Sequence, residues 1–234
     1  MLTILNRHDR NQPFPDVDQA LDEPNGLLAV GGCLSPRRLE NAYRRGIFPW
    51  YGEGEPILWW SPDPRLVLAP DHIRISRSLR KSLRRGDFAF SFNRCFEPVL
   101  EACAEPRAYA TGTWIVPEVR RAYLDFHRLG FAHSFESWQG DRLVGGLYGV
   151  AIGRVFFGES MFHRVSDASK AAFAYAVHCL KSWGFVLIDC QVYTDHLASL
   201  GAREIPRSEF IRLLDQYCGQ PPSPEAWRCA AEFP

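Results

Sequence analysis

RVFFGESMFHRVSDASKAAFAYAVHCLKSWGFVLIDCQVY, residues 154–193, reads as strand, helix, strand. RVFFGESMF and FVLIDCQVY are apolar runs of strand length, and ASKAAFAYAVHCLKSW between them is a helix closed by Gly184. A helix of that length can carry the chain back so that the second strand lies parallel beside the first. Upstream, FAHSFESWQ, LVGGLYGVAIG and RVFFGESMF are separated only by short turns around Gly140-Asp141 and Gly153. That spacing predicts an antiparallel meander whose last strand is also the first strand of the crossover.

Working outward, VPEVRRAYLDFHRLG is a helix with Pro117 near its start and Gly130 after its end. ISRSLRKSLRRG is another, with Leu79 and Leu83 four apart; RLVLAP before it is a strand, and SEFIRLLDQY is the last helix. The first sixty residues look irregular. Asn25-Gly26 marks a turn before LLAV, and Ser35-Pro36 caps the short helix RRLENAYRRG, which ends at Gly46. IFPWY and ILWWSPDPR follow, dense in aromatics and proline, and Pro62 and Pro64 mark a hinge. The expected organisation is a small N-terminal domain, 1–63, and a larger α+β domain, 64–234, with a mixed, mostly antiparallel sheet. Acyl-CoA N-acyltransferase-like (GNAT-like) folds are built this way. That analogy concerns the scaffold, and function has to be read from the site.

Bulk properties narrow the field. The chain has 234 residues, 46% apolar and 23% charged, as ordinary globular proteins do. It has no apolar run of about 18 residues, and MLTILNRHDRNQPFPD carries charges and proline where a signal peptide needs an apolar segment. A cytoplasmic protein without a membrane partner is expected. Net charge is zero, so a polyanionic partner must be held by a local patch. The seven cysteines are scattered without a CxxC pair, which supports neither a disulfide framework nor a zinc site and suggests small buried hydrophobes. The chain lacks a P-loop, a GxGxxG fingerprint, a GxSxG elbow and an HExxH motif, so no metal or cofactor is expected.

Three constellations remain. Glu159 and Met161 are two apart in one strand, as are Asp189 and Gln191 in the next, so each pair is expected to share a face. If those strands are neighbours, two carboxylates, an amide and a thioether converge. An acid inside such an apolar run needs a partner or a task. Arg74, Arg77, Arg80, Lys81, Arg84 and Arg85 form a run with no acid before Asp87, and Arg77, Lys81 and Arg84 fall on one helical face. The commoner meaning of such a run is a solvated face; the alternative is a phosphate track. Trp50 and Trp114 lie in turn-like contexts, where a flat ring can stack on a base.

The segments EPNGLLAVGGCLSP, YRRGIFPWY, PILWWSPDPR, GTWI, AHSFESW, LVGGLYGVA, FFGESMF, ASKAA and LIDCQV, with DHLASLGAREIPR, resemble those of the bacterial leucyl/phenylalanyl-tRNA–protein transferases, in that family's order. The resemblance implies transfer of Leu or Phe, and less readily Met, from aminoacyl-tRNA to proteins with an N-terminal Arg or Lys, in the N-degron pathway. It implies that Trp50 and Trp114 hold the terminal adenosine of the tRNA. Met161 and Leu147 would line the pocket for the amino-acid side chain, Leu147 standing where the family pattern has Met. Glu159, Asp189 and Gln191 would form the polar centre. In this reading Asp189, positioned by Gln191, accepts the proton of the acceptor amine or orients the amine, while Glu159 faces the cationic acceptor. Arg74, Arg77, Arg80, Lys81 and Arg84 would follow the tRNA backbone. An acetyl-CoA-dependent N-acetyltransferase of the same fold and a non-catalytic RNA-binding module are the rival readings.

Overall fold

The computed structural model describes residues 2–106, 113–229 and 233. Near the N-terminus, β1 (Thr3–Leu5) pairs in parallel with β2 (Leu27–Gly31). Helix α1 (Pro36–Arg44) starts as its residues dictate: the Ser35 hydroxyl accepts the Arg38 amide, and Pro36 occupies the first turn. Leu39, Ala42 and Tyr43, at i, i+3 and i+4, are its buried face. After β3 (Phe48–Pro49) and β4 (Leu58–Trp60) the first sheet is complete in the order β1-β2-β4-β3. The stretch that looked irregular therefore holds a four-stranded sheet. Its strands are two to five residues long, too short for alternation to show.

The second sheet begins with β5 (Arg65–Leu68). Helix α2 (Arg77–Arg84), β6 (Ala89–Phe92), α3 (Phe96–Ala104) and α4 (Pro117–Arg128) come next. The meander is β7 (Ala132–Gln139), β8 (Arg142–Ile152) and β9 (Val155–His163). Helix α5 (Ala168–Ser182) crosses to β10 (Leu187–Gln191), and α6 (Asp195–Ser199), β11 (Arg203–Ile205) and α7 (Arg207–Tyr217) finish the order. The seven strands lie as β11-β5-β10-β9-β8-β7-β6. Only β9 and β10 are parallel neighbours; every other pair is antiparallel. Meander and crossover are as expected. The short elements β6, α3, α6 and β11 had no sequence signal strong enough to separate them from loop.

Strand alternation distributes the helices. Tyr148, Val150 and Ile152 of β8 face α1, α3 and α4 in a core that also takes in Leu28 and Trp59 of the first sheet. Leu147 of β8, with Phe135 and Phe156, faces α5 in a second cluster. Among the described residues no helix is long and apolar enough to cross a membrane. Only Cys103, Cys179 and Cys218 of the seven cysteines are buried, fewer than composition suggested.

Candidate active site

Two irregularities in the sheet make the site. In the β8–β9 ladder Tyr148 opposes Ser160 while Gly149 opposes Gly158, so Glu159 is an extra residue without a partner. In the β5–β10 ladder Asp189 opposes Val67 while Gln191 opposes Leu66, so Cys190 is the extra residue there. Such bulges re-aim side chains and stop pairing. The parallel ladder between β9 and β10 runs from Val155 and Leu187 to Phe157 and Asp189 and goes no further, so the two strands part just where Glu159 and Gln191 follow. Gly149, opposite the bulge, has no room for a side chain: a Cβ would stand 2.3 Å from the Phe157 carbonyl oxygen and 2.5 Å from the Phe156 ring.

The bulge overturns the expectation that Glu159 and Met161 share a face. Alternation holds only while the ladder is regular: Glu159 keeps the face of Phe157, and the extra residue resets the alternation beyond it, so that Met161 falls on the other face. The Glu159 carboxylate points to the α1 and α4 side, where Tyr43 donates to Oε1 at 2.8 Å and Tyr123 to Oε2 at 2.8 Å. Met161 opposes Leu147 and packs, half-buried, against the cluster on the α5 side. The expected contact between the two strands is present: Gln191 Nε2 donates to Glu159 Oε1 at 3.0 Å across the gap.

Asp189 sits differently from Glu159. It is 0% exposed, as is Arg65, whose Nε and Nη2 donate to its two carboxylate oxygens at 2.8 and 2.7 Å. The same guanidinium donates to the Gly46 carbonyl at 3.2 Å and lies 4.7 Å from the ring centroids of both Phe48 and Phe210. Asp189 Oδ1 also accepts the Gln191 amide at 2.9 Å, a bond that holds Gln191 at φ +62°. The dependence is the reverse of the one expected, because Asp189 positions Gln191. With its oxygens turned inward onto Arg65, Asp189 is not the carboxylate that faces the gap; Glu159 is.

The electrostatics separate the two acids further. Burial pushes the Glu159 carboxyl up from 4.5 to about 7; the Tyr43 and Tyr123 hydroxyls oppose that rise, Asp189 adds to it and Arg65 offsets part of it. Burial and then the Glu159 charge push both tyrosines well above the ordinary phenol range. Their hydroxyls also bond to one another, and Tyr148, whose hydroxyl is buried without a partner, packs edge-on to Tyr123 at 5.5 Å.

Trp114 lies half-buried against Tyr123, edge-on at 6.5 Å, and so beside the carboxylate cluster, while Gly112 of the GTWI segment lies outside the described residues. Trp50, at the end of β3, is 50% exposed, and its carbonyl accepts the Trp60 indole N–H at 2.6 Å. The structure gives no contact between Trp50 and Trp114. Arg74 is exposed just ahead of α2, and Arg77, Arg80, Lys81 and Arg84 line one open surface cavity of about 390 Å³ with Arg85, opposite the buried Leu79. Among the described residues no group of three His, Cys, Asp or Glu side chains is placed to hold a metal. Tyr43, Tyr123 and Arg65 escaped the sequence reading. Tyr43 and Tyr123 look like core positions of amphipathic helices, which they also are, and Arg65 is separated from Asp189 by 124 residues.

Comparison with known proteins sets this geometry in context. Residues 67–215 match the family described as leucyl/phenylalanyl-tRNA protein transferase, and residues 32–63 match the N-terminal domain of the same family. A leucyl/phenylalanyl-tRNA–protein transferase of Methylococcus capsulatus is 65% identical over 98% of this chain and 98% of its own length. Proteins of the same name from Aromatoleum aromaticum and Pseudomonas aeruginosa are 59% and 58% identical, over 94% and 95% of this chain and 94% and 98% of their own lengths. A solved structure described as a GCN5-related N-acetyltransferase from Kribbella flavida aligns at 11% identity and TM-score 0.35, over 70% of this chain and 58% of that one. The matched residues include Tyr123, Glu159, Asp189 and Gln191 with the strands and helix that present them, and on this extent of similarity the chain belongs to the leucyl/phenylalanyl-tRNA protein transferase family.

Proposed function

We propose that this chain transfers Leu or Phe, and less readily Met, from aminoacyl-tRNA to the N-terminal Arg or Lys of acceptor proteins, marking them for N-degron-dependent degradation in the cytoplasm. The observation that carries the reading is the half-buried Glu159 carboxylate, bridged to Gln191 across the parting of β9 and β10. Residues 1–63, with Trp50, form one unit of the enzyme and 64–234 the other. Both lie against a common core, and the family matches fall on either side of residues 64–66. Trp50 and Trp114 hold the terminal adenosine, Met161 and Leu147 receive the donor side chain, and Arg74, Arg77, Arg80, Lys81 and Arg84 follow the tRNA backbone.

The donor is an activated ester, so the reaction needs neither ATP nor a metal. The amine nitrogen attacks the ester carbonyl carbon; the C–N bond forms, and the C–O bond to the ribose breaks as the tRNA oxygen leaves. An α-amine has a reference pKa of about 7.7–8, close to that of the Glu159 carboxyl at about 7. A base matched to its substrate in this way moves a proton efficiently in either direction. Glu159 therefore takes the proton that the attacking amine sheds and returns it to the ribose oxygen, which leaves as the free hydroxyl of the tRNA. Gln191 has its Nε2 on Glu159, so its Oε1 is the amide atom available to orient the amine. Asp189 acts one step back: it fixes the Gln191 backbone and is itself fixed by Arg65.

The test is transfer of labelled Leu from charged tRNA to a peptide beginning with Arg, beside the same peptide offered acetyl-CoA. Leu transfer is expected. Acetylation instead would establish the rival enzyme, and tRNA binding with neither transfer would leave an RNA-binding module.

A further inference from the structure

Beyond α7 the chain folds back over the α5 side of the second sheet, and Trp227 anchors it there. Its ring lies 4.8 Å from that of Trp183, 5.7 Å from Phe135, 5.9 Å from Phe185 and 6.5 Å from Phe156, centroid to centroid. It also stacks on the His133 imidazole, at 3.5 Å and an interplanar angle of 5°. That imidazole is fixed at both nitrogens: Nε2 donates to the Gly130 carbonyl at 3.0 Å, and Nδ1 accepts from Asn93 Nδ2 at 3.0 Å. Trp183 holds the segment on either side of Trp227. Its carbonyl accepts the Ser223 amide at 2.8 Å, and its indole N–H donates to the Cys229 carbonyl at 3.1 Å. Trp227 itself stands at φ +63°, a left-handed backbone that a bulky residue keeps only where its surroundings impose it.

A seat so defined bears on what rests against it. Phe135 opposes Leu147 in the β7–β8 ladder and Leu147 opposes Met161 in the β8–β9 ladder, so the three form one cross-strand row. Phe156 meets Phe135 edge-on at 5.9 Å, and both are fully buried in the cluster against which Met161 and Trp227 pack. We infer that Trp227 sets the depth of the donor pocket from behind: it fixes Phe135 and Phe156, the floor that limits how large a side chain Leu147 and Met161 receive. The inference rests on the reading of Leu147 and Met161 as that pocket. Trp227 is a positioning residue, since its ring reaches the floor and not the donor. Close-packed interiors transmit such constraints. Removing the ring leaves a cavity into which Phe135 and Phe156 retreat, so the pocket lengthens toward an aromatic donor and fits Leu less closely.

The experiment measures kcat/KM for transfer of Leu and of Phe from their charged tRNAs to a peptide beginning with Arg. Trp227→Ala is expected to raise the Phe-to-Leu ratio about tenfold, the scale on which apolar pockets discriminate by size. Trp227→Phe, which keeps a ring in the seat, should shift it less. Phe233→Ala is the control: its ring meets Phe90, Tyr175 and His178, none of them in the floor, so its loss loosens the same segment without moving the ratio. A ratio that stays or falls in Trp227→Ala, or that Phe233→Ala raises as far, would overturn the assignment and leave Trp227 as packing alone. Where Trp227→Ala does not fold, Trp227→Leu carries the same comparison. A wild-type protein that transfers neither amino acid would overturn the proposed function, and this inference with it.

Discussion

Glu159 carries the chemistry proposed here, and its titration makes the assignment testable. As a proton acceptor it must be ionised, so kcat/KM is expected to rise with pH through about 7. Glu159→Gln should remove that limb and lower transfer by about 10²–10⁴-fold, with tRNA affinity unchanged. A variant that keeps the limb would place the titrating group elsewhere. Stability should move the other way. The folded-state pKa lies above the unfolded one, so the stabilisation from the protonated carboxyl is complete below 4.5 and lost as pH rises through about 7. Glu159→Gln is spared that loss. Its Tm relative to the wild type should therefore be higher at pH 8 than at pH 5, and a difference independent of pH would contradict the raised pKa. The identity of this acid was legible in the sequence, because a charge inside VFFGESMF needs a reason. Its two tyrosine donors were not, because each comes from a helix whose buried face is otherwise ordinary core.

Elements rather than residues explain the misjudged geometry. Strand, crossover and meander were readable from run lengths and turns, and that reading holds across β7 to β10. What periodicity cannot register is an extra residue, since a bulge leaves composition unchanged and resets the alternation after it. Glu159 and Met161 were therefore assigned one face when the strand gives them two. The bulge rests on Gly149, whose missing side chain leaves space for the Phe157 carbonyl and the Phe156 ring. Gly149→Ala is expected to cost about 1–3 kcal/mol in urea denaturation, as overpacking does, and to lower transfer by turning Glu159 out of reach of Tyr43 and Tyr123. Unchanged stability together with unchanged activity would show that the bulge does not depend on this glycine.

At the scale of the molecule, Arg65 ties the first sheet to the second. It reaches Gly46 and Phe48 from one side, Phe210 from another, and ends on Asp189. Arg65→Met should lose about 3–5 kcal/mol, because it leaves the Asp189 charge buried and alone. Arg65→Met with Asp189→Leu should regain most of that stability and little of the transfer, since Gln191 then has no carboxylate to hold it. A double variant that transfers normally would remove Asp189 from the site. The stripe on α2 answers to a different measurement, the salt dependence of tRNA affinity. Neutralising Arg77, Arg80, Lys81 or Arg84 should flatten the slope of log affinity against log salt by up to about one unit each, alike for Leu- and Phe-accepting tRNAs. Trp50→Ala should weaken binding with little change in slope, because stacking releases no counterions. Wild-type slopes in all four charge variants would return the stripe to a solvated helix face.

The unpartnered residue in β9 also bears on how such a gene can change. Leu147 to Met161, Tyr148 to Ser160, Gly149 to Gly158 and Val150 to Phe157 are successive pairs, and only Glu159 stands outside them. Loss of that single codon would leave each of those pairs intact and make the ladder regular. The product would be a sheet at least as well formed as before, with the proposed proton acceptor gone. One in-frame deletion thus separates the scaffold from its chemistry, and the same position, refilled with a different side chain, is where a lineage could acquire a new one.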